Sequence, residues 1–123
     1  MKIYEDADLF IEAHESVIPW VKIFTRTPYK EVTDCPENLQ LKLWQTALTV
    51  EKVMRSFYTP DKVNIASFGN MLPHVHIHVQ ARFQNDPWFP EPTWGSRQRE
   101  TPLSLPNPEY FYQTLCETLK EKS

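Results

Sequence analysis

Three of the four histidines stand at positions 74, 76 and 78, separated only by Val75 and Ile77. Side chains alternate across a β-strand, so residues at i, i+2 and i+4 share a face. His74, His76 and His78 are therefore expected to project together, with Val75, Ile77 and Val79 on the opposite side. A neutral imidazole is a good nucleophile near pH 7 when one ring nitrogen is unprotonated and aimed at its target. The other nitrogen must then keep its proton and donate it to a fixed acceptor, which sets the tautomer. Flanking imidazoles can donate to phosphate oxygens or to a leaving group, where negative charge develops. A strand holds such a row in register better than a loop does. This combination points to chemistry at phosphorus, with His76 at the centre of the row.

Two other readings compete. Three histidines on a solvated strand face could be coincidence. Imidazole is also the commonest metal ligand, but three along one strand converge less well than ligands from different elements. No CxxC or HExxH pattern adds to them, so no metal is assigned.

Further candidates are weaker. His14 follows an early strand and either lines a site or is a turn residue. Lys22, inside an apolar-flanked strand, either neutralises phosphate or lays its stem on apolar surface with the charge in water. Trp88, Phe89 and Trp94 could stack on a base, although closing an interface or capping the core is the commoner use. Arg82, Arg97 and Arg99 could pair with phosphates, but isolated arginines are usually solvated. Cys116 reads as a core residue.

Positioning these groups requires a sheet and something to pack against it. Residues 8–13 and 18–26, rich in β-branched and aromatic side chains, read as two strands joined by His14-Glu15-Ser16. Pro19 belongs at a strand start or an edge because it cannot donate to the ladder. Cys35-Pro36-Glu37 reads as a helix entrance. From 39 to 57 the residues Leu41, Leu43, Trp44, Ala47, Leu48, Val50, Val53 and Met54 recur at helical spacing, and the helix ends before Pro60. Residues 62–68 form a third strand, followed by the turn-prone Gly69-Asn70. Residues 74–83 form the clearest strand, paired with the third as an antiparallel hairpin. Residues 86–108, rich in proline and tryptophan, read as an ordered loop. A last helix starts at Asn107-Pro108 and runs to about Lys120.

Composition bounds the partners. The 123 residues suit one domain, and 41% hydrophobic with 13% aromatic residues suffice for a core. The net charge of −3, with 13 scattered basic residues, is not the footprint of a polynucleotide groove. A small phosphorylated ligand needs only a few local donors. Cys35 and Cys116 read as free thiols in a reducing compartment. The N-terminus lacks the basic and apolar stretches of a signal peptide, and no run approaches a membrane span. A cytoplasmic protein without membrane contact is expected.

The run His74-Val-His-Ile-His-Val-Gln80 resembles the His-φ-His-φ-His-φ-φ signature of histidine-triad (HIT) proteins, and the preceding Gly69-Asn70-Met-Leu-Pro resembles a variant of their Gly-Gln-(Ser/Thr)-Val approach. The resemblance implies that His76 is the nucleophile, forming a covalent nucleotidyl-histidine that water or another acceptor resolves. It implies that the main-chain carbonyl of His74 holds the second ring nitrogen of His76, and that His74 and His78 orient the site and contact phosphate oxygens. Asn70, in place of the family's glutamine, would bind phosphate; Lys22 and His14 complete the expected substrate-binding set. The implied substrate is a small nucleotide, either a dinucleoside polyphosphate or a nucleoside phosphoramidate. The implied assembly is a homodimer without a cofactor. Three departures bear on the substrate. Met71 replaces a hydroxyl residue, the stretch from Asn64 to His74 is short, and no histidine occurs in Phe24-Thr-Arg-Thr-Pro-Tyr-Lys30. Such changes also leave open a module that binds nucleotides without turnover. The expected fold is α+β, one domain over residues 1–123. It comprises an antiparallel sheet of about five strands, the long helix packed on one face, and a C-terminal helix.

Overall fold

The structure is a computed structural model in which residues 1–122 are described. In chain order it contains β1 (Lys2–Glu5), β2 (Leu9–Ala13), β3 (Trp20–Thr25), a 3₁₀ turn (Val32–Asp34), α1 (Glu37–Tyr58), β4 (Lys62–Ala66), β5 (His76–Arg82) and α2 (Pro108–Lys122). The strands form one five-stranded antiparallel sheet in the order β1-β2-β3-β5-β4. This is the α+β arrangement expected from the sequence, with α1 as the long helix and α2 as the C-terminal one.

Proline sets two boundaries. β3 starts at Trp20 because Pro19 has no N–H for the ladder, although its carbonyl still accepts from Ala81 N–H at 3.0 Å. β5 was expected to begin at 74 but begins at His76. Pro73 interrupts the ladder, and His74 N–H turns back to the carbonyl of Leu72 at 2.8 Å. β1, which the strand pattern did not reveal, is an edge strand tied to α2 by the thiol of Cys116, which donates to the carbonyl of Ile3 at 2.9 Å. Cys35 and Cys116 are both free thiols.

One face of the sheet carries Leu9, Ile11, Val21, Ile23, Ile77 and Val79, all buried against the helices. α1 meets this face with Leu43, Ala47, Val50 and Met54, and α2 adds Phe111, Leu115 and Leu119. Leu41, Trp44 and Leu48, part of the same apolar periodicity, point outward at 62, 53 and 41% exposure. α1 begins after Pro36, whose carbonyl accepts from Leu39 and Gln40, and ends where Thr59 turns left-handed (φ 45°) ahead of Pro60. Among the described residues no helix is long and apolar enough to cross a membrane. With α1 on one face, the opposite face of the sheet is left to the histidines.

Candidate active site

Cross-strand register assembles the second face. Phe10 on β2 stands opposite Phe24 on β3, which stands opposite His76 on β5. Lys22 stands opposite His78, and Trp20 opposite Gln80. The three facing rings form a parallel stack, Phe10 on Phe24 at 5.0 Å and 8°, and Phe24 on His76 at 4.9 Å and 19°. His76 and His78 are both buried at 8% exposure, with ring centroids 4.9 Å apart.

Their hydrogen bonds assign their protons. His76 Nδ1 lies 2.7 Å from the carbonyl oxygen of His74. A carbonyl only accepts, so Nδ1 carries the hydrogen, and in the neutral ring the lone pair is on Nε2. Ser67 Oγ–H donates to the carbonyl of His76 at 2.9 Å and steadies the same segment. His78 is the opposite case: Trp20 Nε1–H, a donor only, meets its Nδ1 at 3.0 Å. The neutral ring of His78 therefore carries its hydrogen on Nε2. Burial foremost, then the positive neighbourhood of His76, Lys22 and His14, lowers the pKa of His78 to about 4. His74 shares this face, its ring edge-on to Phe24 at 5.3 Å, but its Nε2–H is spent on the carbonyl of Thr25. The face thus presents a lone pair on His76 beside an N–H on His78, with His74 as the support that fixes both backbone and tautomer.

The proline-rich segment after β5 lies across this face. Arg82 and Asp86 form a buried ion pair at 2.8 Å, with side chains 2% and 0% exposed. Arg82 also donates to Asn64 Oδ1 at 2.8 Å and to the carbonyl of Glu91 at 2.7 Å. Burial alone would raise the pKa of Asp86, but donors from Arg82 and from the backbone of Phe83, Phe89 and Trp88 bring it down to about 2. Arg99 donates to the carbonyls of Asp86 and Phe89 at 2.6 and 2.7 Å, and Gln80 donates to Thr93 at 2.8 Å. These anchors set Trp94 edge-on to His78 at 5.0 Å and to Trp20 at 5.5 Å, with Phe68 at 4.6 Å on its outer side.

The expected site residues fall into three groups. His74, His76, His78 and Lys22 share the face. His14 lies one ring away, its imidazole on Trp20 at 4.0 Å, and burial lowers its pKa with a smaller contribution from Lys22. Asn70 is apart: it is exposed in the loop before β5, and its side chain makes no hydrogen bond among the described residues. Arg82 and Arg99, read as possible phosphate partners, are instead consumed by the loop, and Arg97 faces Glu100 at 3.9 Å. Among the described residues no group of three or more His, Cys, Asp or Glu side chains is arranged to hold a metal ion. In this row His74 Nε2 and His78 Nδ1 already have hydrogen-bond partners. Trp20 was missed as a site residue. Alternation puts it on the Lys22 and Phe24 side of β3, but only the pairing of β3 with β5 brings that side to the histidines. A crevice of about 900 Å³ between α1 and α2 lies on the other side of the sheet and is lined by Leu48, Lys52, Phe57 and Thr118 among others.

The fold and the histidine row agree with the comparisons. The HIT domain family matches residues 2–85, and the chain belongs to that family. It is similar to a histidine triad protein from Marinobacter aquaeolei, with 28% identity and a TM-score of 0.80 over 97% of this chain and 90% of that one. A histidine triad protein from Bradyrhizobium japonicum matches at 27% identity and TM-score 0.76, over 99% and 89% of the two chains. A third, from Sinorhizobium meliloti, matches at 26% and 0.75, over 100% and 89%. No curated protein matches the chain.

Proposed function

We propose that the protein is a nucleotide hydrolase or transferase that cleaves a nucleotidyl phosphoanhydride or phosphoramidate bond through a covalent nucleotidyl-His76. The observation that carries this reading is the hydrogen bond from His76 Nδ1–H to the His74 carbonyl, which leaves Nε2 with a free lone pair. Nε2 attacks phosphorus as the bond to the leaving group breaks; the leaving group takes a proton from solvent. Water or another acceptor then attacks the same phosphorus and gives up its proton to solvent, the P–N bond breaks, and the lone pair returns to Nε2. His78 donates Nε2–H to a non-bridging oxygen, where charge grows in both steps. His74 orients His76, Lys22 supplies positive charge beside His78, His14 flanks the site through Trp20, and Asn70, in the loop before β5, is the remaining phosphate-binding candidate. No cofactor enters the scheme. The working form is a homodimer in the cytoplasm; light scattering on a sizing column tests the first point.

A second reading, nucleotide binding without turnover, is favoured by the loop before β5. Asn70 is exposed and Met71 stands 99% exposed, instead of offering a hydroxyl to the phosphate. Mass spectrometry after brief mixing with an adenosine phosphoramidate or a diadenosine polyphosphate, quenched at neutral to basic pH, separates the two. An adenylyl mass on His76 supports the covalent route and ranks the substrates; binding with neither adduct nor product favours the second reading.

A further inference from the structure

The pair of complementary tautomers has a cause outside the histidine row. We propose that Trp20 is a positioning residue of this site: its indole N–H, seated on Nδ1 of His78, locks that ring as the neutral tautomer with its hydrogen on Nε2. The consequence for catalysis rests on the nucleotidyl reading above; the tautomer itself does not.

The geometry leaves His78 little choice. An indole N–H cannot accept, so a hydrogen on His78 Nδ1 would put two donors 3.0 Å apart. That excludes both the other neutral tautomer and the imidazolium while Trp20 holds its place. Trp20 is held in turn by contacts on several sides. His14 lies on its ring at 4.0 Å, Trp94 meets it edge-on at 5.5 Å, and its carbonyl accepts from His14 N–H at 2.9 Å. The groups around His78 act in the same sense. His76 on its own strand, Lys22 across β3 and His14 beyond β2 are all basic, and each lowers its affinity for a proton. Ala66 across β4, Phe68 and Trp94 bring no charge. His78 is thus a permanent neutral donor over the working range of a cytoplasmic enzyme. It stabilises charge on the phosphoryl oxygens and does not deliver a proton to the leaving group. The division of labour with His76 follows, since each ring has its Nδ1 occupied by a fixed partner of opposite kind: a carbonyl for His76 and an indole N–H for His78.

Long-range proton–nitrogen correlation spectra of the histidine side chains test this without any substrate, with His78→Asn identifying the resonances. In the wild-type protein His78 is expected to show a protonated Nε2 and an unprotonated Nδ1 down to well below pH 6. Trp20→Phe keeps an aromatic ring and removes the N–H. It is expected to mix the tautomers and raise the titration midpoint of His78 by about one pH unit. With a nucleotide substrate that the wild type turns over, the same variant is expected to lose about tenfold in kcat/KM, mostly in kcat. A new acid limb should appear near the shifted midpoint. A wild-type spectrum with the hydrogen on Nδ1 of His78 overturns the proposal, and so does a Trp20→Phe spectrum that keeps the wild-type tautomer and midpoint. If Trp20→Phe fails to fold, the wild-type spectrum alone decides. If the tautomers behave as stated and no nucleotidyl adduct ever forms, the lock stands and the nucleotidyl reading falls.

Discussion

At the scale of single residues, His76 and His78 are neighbours of the same type with different duties, and the difference lies in what touches Nδ1. His76→Ala removes the proposed nucleophile and is expected to cost on the order of 10⁴-fold or more in kcat, leaving the far-ultraviolet dichroism unchanged. His14→Ala, one ring further out, should cost less than about tenfold, as expected for a group that acts through Trp20. Steady-state rates on one nucleotide substrate check both. A pH consequence also belongs to His78. Its folded-state pKa is about 4, below the ordinary histidine value of 6.5. The unfolded chain therefore binds the extra proton first. The stabilising contribution is present above pH 6.5 and drains away as the pH falls toward 4, with His14 acting in the same direction. Urea midpoints across this window should fall with acidification, and His78→Asn should flatten the slope. The row itself was legible because a period of two in strongly strand-forming residues is a local pattern. The bond from Trp20 was not legible, because its partners are 58 positions apart and meet only when β3 pairs with β5.

At the scale of elements, the segment after β5 is held by one buried pair more than by any surface of its own. Asp86 accepts from Arg82, Phe83, Trp88 and Phe89, so Asp86→Asn leaves the Arg82 charge buried and uncompensated. A cost of about 3–5 kcal/mol is expected in urea unfolding. Loosening of the loop should also show as a red shift in tryptophan emission as Trp94 leaves Trp20. Because Asp86 is pulled down to about 2, its share of stability is present above pH 3.8 and lost only as the pH falls toward 2. It is thus separable from the histidine window. The sequence read this stretch as an ordered loop from its tryptophans. Arg82 and Asp86 offered no more than a short spacing, and only burial under the loop reveals them as its anchor. α1 was legible for the converse reason: Leu43, Ala47, Val50 and Met54 repeat within one element. β1 escaped notice because Lys2-Ile-Tyr-Glu5 is short, charged at both ends and only half-buried. It owes its place to β2 and α2, not to its own pattern.

At the scale of the whole molecule, the sheet separates two tasks: the α1 side makes the core and the other side makes the site. Leu115→Ala, a fully buried position on α2, is expected to cost about 2–5 kcal/mol. Its rate constants at a temperature where it stays folded should match the wild type, because Leu115 belongs to the core on the α1 side of the sheet. Calorimetry and the same steady-state assay would show the two properties moving apart. The stack of Phe10, Phe24 and His76 carries a further consequence. The Nε2 lone pair lies in the plane of the imidazole, so a phosphorus atom meets it along the ring's edge, parallel to the face that Phe24 covers. Both displacements in the proposed route then use the same line of approach, and each inverts the arrangement about phosphorus. A nucleotide made chiral at phosphorus by a sulfur atom, and turned over in water labelled with a heavy oxygen isotope, should therefore give a product with net retention of configuration.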